Sequence, residues 1–239
     1  MTTGPVSKEA IHASGAPEAS KFLGHTEHLQ RRLRAREVVM AFWSSGLVTS
    51  LATTHLPLRS VPEALTAALV SRATFWLAWL LWRLSGRAPR VAVASLNPHA
   101  GEGGLLGVEE RRKVVPGIER ARARLGHAAI RATVEGPVPA ETAFRLARTR
   151  RWDGVVAMYH DQATIPMKLV AFGDAVNVSL GLPIVRTSVD HGTGYDRAGT
   201  WTADDSGMKA ALALAARLSA KTASTTPASR AEKGRRRSR

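Results

Sequence analysis

The sequence predicts an α/β fold, a parallel-sheet α/β/α sandwich. Two observations carry this: short β-rich runs alternate with longer stretches of helical spacing, and no internal repeat interrupts the alternation. The β-rich runs are Gly46–Thr54, Val91–Ser95, Ala129–Val134, Val155–Tyr159, Val176–Leu180 and Ile184–Val189. Helical spacing covers Arg31–Phe42, Pro62–Leu84, Val108–Leu125, Ala140–Arg148 and Ser206–Leu218. Pro62 suits the first turn of its helix, and Gly126 is expected to end the helix that closes at Leu125. In such sheets ligands bind beyond the carboxyl ends of the strands, so the residues that follow each run are the candidates for chemistry.

With 239 residues the chain is long enough to bury a real core, and 44% apolar with 22% charged residues describes a globular protein. Lysine and arginine exceed aspartate and glutamate by 34 to 19, a formal charge of +15. Residues 221–239 alone hold seven basic residues against Glu232, so the tail from Lys221 to Arg239 carries +6 of that total and is expected to be disordered. The absence of cysteine excludes a disulfide scaffold and a cysteine nucleophile, and fits a reducing, cytoplasmic setting. No apolar stretch opens the chain as a signal peptide, and the longest greasy run, Ala73–Trp82, is ten residues, about half a membrane span. A membrane role is therefore not expected. The charge permits weak polyanion binding, but no recognition motif is present and the basic tail lacks interleaved aromatics. No specific nucleic-acid partner is expected.

Three histidines follow β-like runs: His55 after Leu51–Thr54, His99 in Leu96–Gly104, and His160 after Val155–Tyr159. Three imidazoles at the ends of parallel strands can converge on one divalent ion, although each alone also reads as a structural or surface histidine. The glycine-rich loop Gly101–Gly107 either approaches a phosphate or simply presents His99. Glu109 and Glu110 in the next helical turn would repel an anion and complement the helix dipole, which favours presentation. Lys168, Asn177 and Arg186 are a lysine, an amide and an arginine suited to a phosphate and a carboxylate, or else ordinary surface polar groups. His25 and Thr26, after Gly24, add polar contacts of the same kind.

Taken together, these strings resemble one family, the 4-hydroxythreonine-4-phosphate dehydrogenases (PdxA family) of vitamin B6 biosynthesis. The matching stretches are Thr3–Lys8, Gly24–Glu27, Ala52–Leu58, Leu96–Gly104, Met158–Gln162 and Val176–Thr193, in family order from Thr3 to Leu218. The resemblance implies His55, His99 and His160 as ligands of one divalent metal ion (Zn, Mg or Co). It implies substrate contacts at His25, Thr26, Lys168, Asn177 and Arg186, with Lys168 and His25 as the catalytic candidates. The string Asp190–Gly199 looks like the adenine-side loop of isocitrate- and isopropylmalate-type dehydrogenases, which share this fold. It implies an NAD contact through Asp190, His191, Gly192 and Thr193 without a Rossmann fingerprint. The family's homodimer builds each active site from both subunits. The implied reaction oxidises the C3 hydroxyl of 4-phosphohydroxy-L-threonine, passes hydride to NAD, and ends in loss of carbon dioxide.

Several positions depart from the family pattern. Relatives begin with a further segment, about a third of their length, so the chain reads as N-terminally truncated. Thr3–Lys8 reads as a loop leaving a strand that the chain lacks. An edge left open in this way predicts aggregation and little turnover. Residues 1–220 are then an incomplete dehydrogenase region followed by the basic tail at 221–239. Glu141 stands where the family has aspartate, and Arg197 where it has isoleucine. The spelling of Gln162–Lys168 is similar to the branch that includes D-threonate and D-erythronate 4-phosphate dehydrogenases. That substrate, or an inactive remnant, are the alternative readings.

Overall fold

The β-branched and aromatic run Val38–Trp43 forms a strand (Val39–Trp43), although its spacing predicted the end of a helix over Arg31–Phe42. The helix begins earlier and stops at Arg32. Arg34 in the left-handed region (φ 51°) turns the chain, and strand propensity wins beyond it. The computed structural model describes residues 1–220, so the tail expected at Lys221–Arg239 lies outside the described residues.

Eight strands form one sheet: β1 (Thr2–Thr3), β2 (Val39–Trp43), β3 (Val48–Leu51), β4 (Arg90–Ala94), β5 (Thr133–Val138), β6 (Gly154–Ala157), β7 (Val176–Leu180) and β8 (Arg186–Val189). Their spatial order is β1-β8-β7-β2-β3-β6-β4-β5. The β3-β6-β4-β5 half is parallel throughout, whereas β2 pairs antiparallel with both β3 and β7, and β7 with β8. The sheet is thus mixed, and the expected parallel arrangement holds for its β3-β6-β4-β5 block and for β1 with β8. Two tight hairpins, β2–β3 and β7–β8, replace crossover helices. Thr2 and Thr3 pair parallel with Thr187 and Ser188, so two residues of strand, β1, precede the loop read at Thr3–Lys8.

The helices are α1 (Lys8–Ala13), α2 (His25–Arg32), α3 (Val61–Ala64), α4 (Ala67–Ser85), α5 (Val115–His127), α6 (Ala140–Arg148), α7 (His160–Ala171) and α8 (Ser206–Ala220). The stretch expected as one helix over Pro62–Leu84 is two, bent by 94° where Leu65 is extended and the Thr66 hydroxyl accepts from Leu69 N–H at 3.2 Å. The segment over Val108–Leu125 opens as a π-turn (Glu110–Val114), because Pro116 cannot donate the hydrogen bond a regular turn needs there. The next strand starts four residues later than its pattern suggested. Ile130 N–H closes back on Leu125 C=O at 3.0 Å, so Ala129–Ala132 serve the helix end.

Successive strand residues feed two cores. Val93 and Val156 pack with α4, α5 and α8, while Ala92, Ala94, Val155 and Ala157 face α6 and α7. Helix α4 buries ten of its 19 residues, including Phe75, Trp76, Leu77 and Leu80, and is apolar around its circumference because it is covered on both sides. Each such large side chain contributes about 1.5–3 kcal/mol on burial. No single helix among the described residues is long and apolar enough to cross a membrane. The β7–β8 turn depends on Gly181 (φ 92°), where a Cβ would stand 2.5 Å from the Glu37 carbonyl oxygen.

Candidate functional site

The parallel pairing of β3 with β6 continues past both strands. Ala52 N–H donates to Ala157 C=O at 2.8 Å, and the Thr53 hydroxyl donates to Met158 C=O at 2.7 Å. This fixes His55 beside His160, the first residue of α7, with ring centroids 5.3 Å apart. Gln162 locks the same corner: its Oε1 accepts from Met158 N–H at 2.7 Å and its amide donates to Ser95 C=O at 2.8 Å, tying the end of β6 to that of β4. His160 Nδ1 lies 2.7 Å from the Asp161 carboxylate.

The loop after β4 carries His99 in an unusual backbone. Residues 99–103 all have positive φ, and at Gly101 (φ 80°) a Cβ would lie 2.8 Å from Glu110 Oε2. Glu110 does not simply complement a dipole, as its position suggested. It is buried (5% exposed), and its carboxylate accepts from Leu96 N–H (2.9 Å), Asn97 N–H (2.8 Å) and the Asn97 side chain (2.9 Å), with Glu109 taking that amide as well. The loop is therefore held from behind by two carboxylates, and no anion need bind there. Glu110→Ala would leave buried N–H groups unpaired, so we expect a loss of about 2–4 kcal/mol in urea unfolding, with Glu110→Gln losing less.

A second polar cluster lies on the antiparallel half. On β7, Asn177 and Ser179 share one face, and on β8 Arg186 stands opposite Ser179. Arg186 is only 4% exposed; it donates to Ser179 Oγ at 3.2 Å and to Thr3 Oγ1 at 2.8 Å, while Thr26 Oγ1 lies 3.3 Å from Ser179 Oγ. The Arg186 Nε–H and Asn177 Oδ1 are buried without partners among the described residues. An unsatisfied N–H on a buried cation is what an anion would complete, and the free Asn177 Oδ1 calls for a hydroxyl or N–H donor on the same molecule.

Charge links the two clusters. Burial lowers His25 below the ordinary imidazole value, with Arg186 and His28 adding to the effect. Burial also lowers His55, helped by His160 and Lys8 and opposed by Glu27, which favours the neutral imidazole that ligates metals. Burial raises the Asp190 carboxyl, opposed by Lys168, His160 and His191. Arg186 is lowered by burial and supported by Glu27, but a guanidinium stays charged. A lowered histidine pKa means that the unfolded chain takes up the proton first. The His25 contribution to stability is then complete above about pH 6.5 and falls away as the pH drops toward the folded value. Thermal melts from about pH 7.5 to about pH 5.5 should fall, and less steeply in His25→Gln.

The structure thus brings together His55 with His160, and Thr26 and Arg186 with Ser179, near His25 and Asn177. Lys168 sits on the exposed side of α7, and His191, Gly192 and Thr193 are exposed in the loop after β8. His99 does not join the histidine pair. Among the described residues no group of three or more His, Asp or Glu is placed to hold a metal ion. Glu141 is exposed at the start of α6 and pairs with Arg145 at 3.6 Å, while Arg197 pairs with Asp196. Sequence reasoning did not weigh Thr3, Lys8, Glu27, Ser179 or Gln162 individually. The alternation of Asn177 and Ser179 on one strand was the available signal for Ser179.

A mixed α/β sheet with paired imidazoles at its strand ends, and a buried arginine with an unpaired N–H at the same end, defines an α/β protein with a candidate polar site there. The family model for the pyridoxal phosphate biosynthetic protein PdxA matches residues 1–215, and the chain belongs to that family. It is 46% identical over 216 residues to 4-hydroxythreonine-4-phosphate dehydrogenase of Desulfosudis oleivorans, covering 90% of this chain and 61% of that protein. The crystal structure of the Klebsiella pneumoniae 4-hydroxythreonine-4-phosphate dehydrogenase matches with a TM-score of 0.78 at 38% identity, over 91% of this chain and 63% of that one. A terephthalate 1,2-cis-dihydrodiol dehydrogenase from Burkholderia xenovorans LB400 matches with a TM-score of 0.68 at 32% identity, over 90% and 65% of the two chains. The chain spans about three-fifths of the length of the curated relatives it matches.

Proposed function

We propose that this chain supplies the catalytic region of a cytoplasmic, NAD- and metal-dependent 4-hydroxythreonine-4-phosphate dehydrogenase. The observation that carries this is the pairing of His55 and His160 at 5.3 Å, in the same strand-end region as the buried Arg186. Two adjacent imidazoles, one favoured neutral, fit two positions of a divalent ion. The third ligand would be His99, supplied across a homodimer. The exposed apolar residues Leu58, Leu105, Ile165 and Leu169 follow the same strand ends and support a second copy docking there. When bound, the ion would act as a Lewis acid on the substrate alcohol.

The chain's own residues then have separable tasks. Arg186, with its unpaired Nε–H, and Asn177 receive one anionic end of the substrate, and Thr26 fixes its orientation through Ser179. Lys168 holds the other end and neutralises charge. His25, kept below its ordinary pKa, is able to accept a proton from the alcohol near neutral pH. Asp190, His191, Gly192 and Thr193 would border the nicotinamide dinucleotide, which when bound would supply the hydride acceptor for an oxidation that ends in loss of carbon dioxide. The test is calorimetric binding of 4-phosphohydroxy-L-threonine to the chain with a divalent metal, against D-erythronate 4-phosphate, with NADH formation followed beside it. Binding of the amino acid and not the sugar acid supports the reading; the reverse assigns the sugar-acid substrate, and binding of neither would contradict the proposal for this chain.

A further inference from the structure

A cavity of about 210 Å³ lies at the amino ends of the parallel strands β3, β4 and β6, the opposite end of the sheet from the histidines. It is lined by the β2–β3 hairpin (Trp43–Val48), the end of α4 (Leu81, Leu84), and the segments that lead into β4 and β6 (Arg87, Pro89; Trp152, Asp153), with Ala147, Arg150 and Arg217 beside them. Its walls are graded. Leu47, Val48, Leu81, Ala147 and Trp152 are buried and apolar, whereas Arg87, Arg150 and Arg217 are exposed.

Three arginines and one aspartate border the cavity, and Asp153 is already engaged. It accepts from Arg87 at 3.0 Å and from the Arg90 backbone N–H at 2.8 Å, contacts that lower its pKa against the opposing effect of burial. The Arg150 guanidinium donates to Ser45 C=O at 3.1 Å, which anchors it over the hairpin. The Arg217 guanidinium lies 5.4 Å from the centre of the Trp43 ring. The field at the mouth is therefore positive, and the arginines are held by backbone and aromatic contacts that leave N–H groups for an anion.

A second observation points inward. Trp152 is 5% exposed, and its indole N–H is buried with no hydrogen-bond partner among the described residues. An indole N–H in an interior normally finds an acceptor, and this one, closed off while the cavity is empty, would reach an acceptor on an occupant through a small shift of the Trp152 side chain. A volume below the usual range for drug-sized ligands limits the occupant to about one ring and its substituents.

We propose that this cavity binds a small aromatic anion: one planar ring against Trp43, Trp152 and the leucines, a ring acceptor on the Trp152 N–H, and one phosphate or carboxylate at Arg87 and Arg217. The site is separate from the strand-end site and does not rest on the dehydrogenase reading.

The probe is para-nitrophenyl phosphate, which carries ring, acceptor and anion together, titrated calorimetrically into the full chain. Phenyl phosphate lacks the ring acceptor and glycerol phosphate lacks the ring. The expected result is saturable one-site binding that is about tenfold or more weaker for glycerol phosphate. Arg217→Ala should weaken it by a similar factor, and Lys209→Ala, two turns away on the same helix, should leave it unchanged. Trp152→Phe keeps the aromatic wall, and should abolish the preference for para-nitrophenyl over phenyl phosphate. Equal binding of glycerol phosphate, or binding lost in Lys209→Ala but kept in Arg217→Ala, would overturn the proposal; so would no binding at all.

Discussion

Substituting either His55 or His160 with alanine should lower divalent-metal affinity by at least about 100-fold, measured by equilibrium dialysis, and abolish NAD reduction with it. The two rings are fixed by different strands but by one set of hydrogen bonds, from Ala52, Thr53 and Gln162. Removing one ring leaves a single imidazole at this corner, with only His99 across the dimer to share the ion. His160 is part-exposed at a helix start, so neither variant should unfold the chain. A folded His55→Ala protein that binds metal as tightly as the parent would remove His55 from the site.

The second large effect is expected at Arg186. Its guanidinium is almost completely buried and bridges β7 and β1 through Ser179 and Thr3, with one N–H still unpaired. A charge-assisted hydrogen bond lost from a desolvated site costs about 1.5–3 kcal/mol, so Arg186→Met should raise the substrate Kd about 10- to 150-fold. Arg186→Lys keeps the charge but not the fork, and should recover only part of that affinity. Stability will fall as well, because Ser179 and Thr3 lose their shared donor. Binding of the phosphorylated substrate must therefore be compared at a temperature where both variants are folded. Unchanged affinity in a folded Arg186→Met protein would restrict this side chain to holding β1 against the sheet.

The parts of this fold that were legible in the sequence are those where local pattern and tertiary role agree. The short apolar runs of β4, β6 and β7 are buried on both faces, and their composition says so. The run over Val39–Trp43 misled because its apolar spacing fits a helix, while β-branched and aromatic residues between β3 and β7 make it a strand. Helix α7 was not anticipated: Pro166 lies inside it, and Thr164-Ile165 reads as strand. Helix α2 was placed too late in the chain for the opposite reason, since it buries no residue and has no apolar face to mark where it starts. At the site, position after a strand was enough to find His55 and His160. Ser179 carried only its alternation with Asn177 as a signal, and Thr3 carried none, because it meets Arg186 from a segment 183 residues away. The role of Glu110 was misread for a related reason: its partners, Leu96 and Asn97, lie across a loop whose left-handed path no composition announces.

The central claim is that His55 and His160 are two ligands of one catalytic metal ion beside the Arg186 anion site. Its most direct test is a crystal structure of the chain soaked with a divalent ion, located by its anomalous scattering. The account predicts one strong peak per chain at about 2.0–2.1 Å from an imidazole nitrogen of each of His55 and His160, with the third position filled across a dimer. A peak elsewhere, or an ion held by only one of these rings, would contradict it.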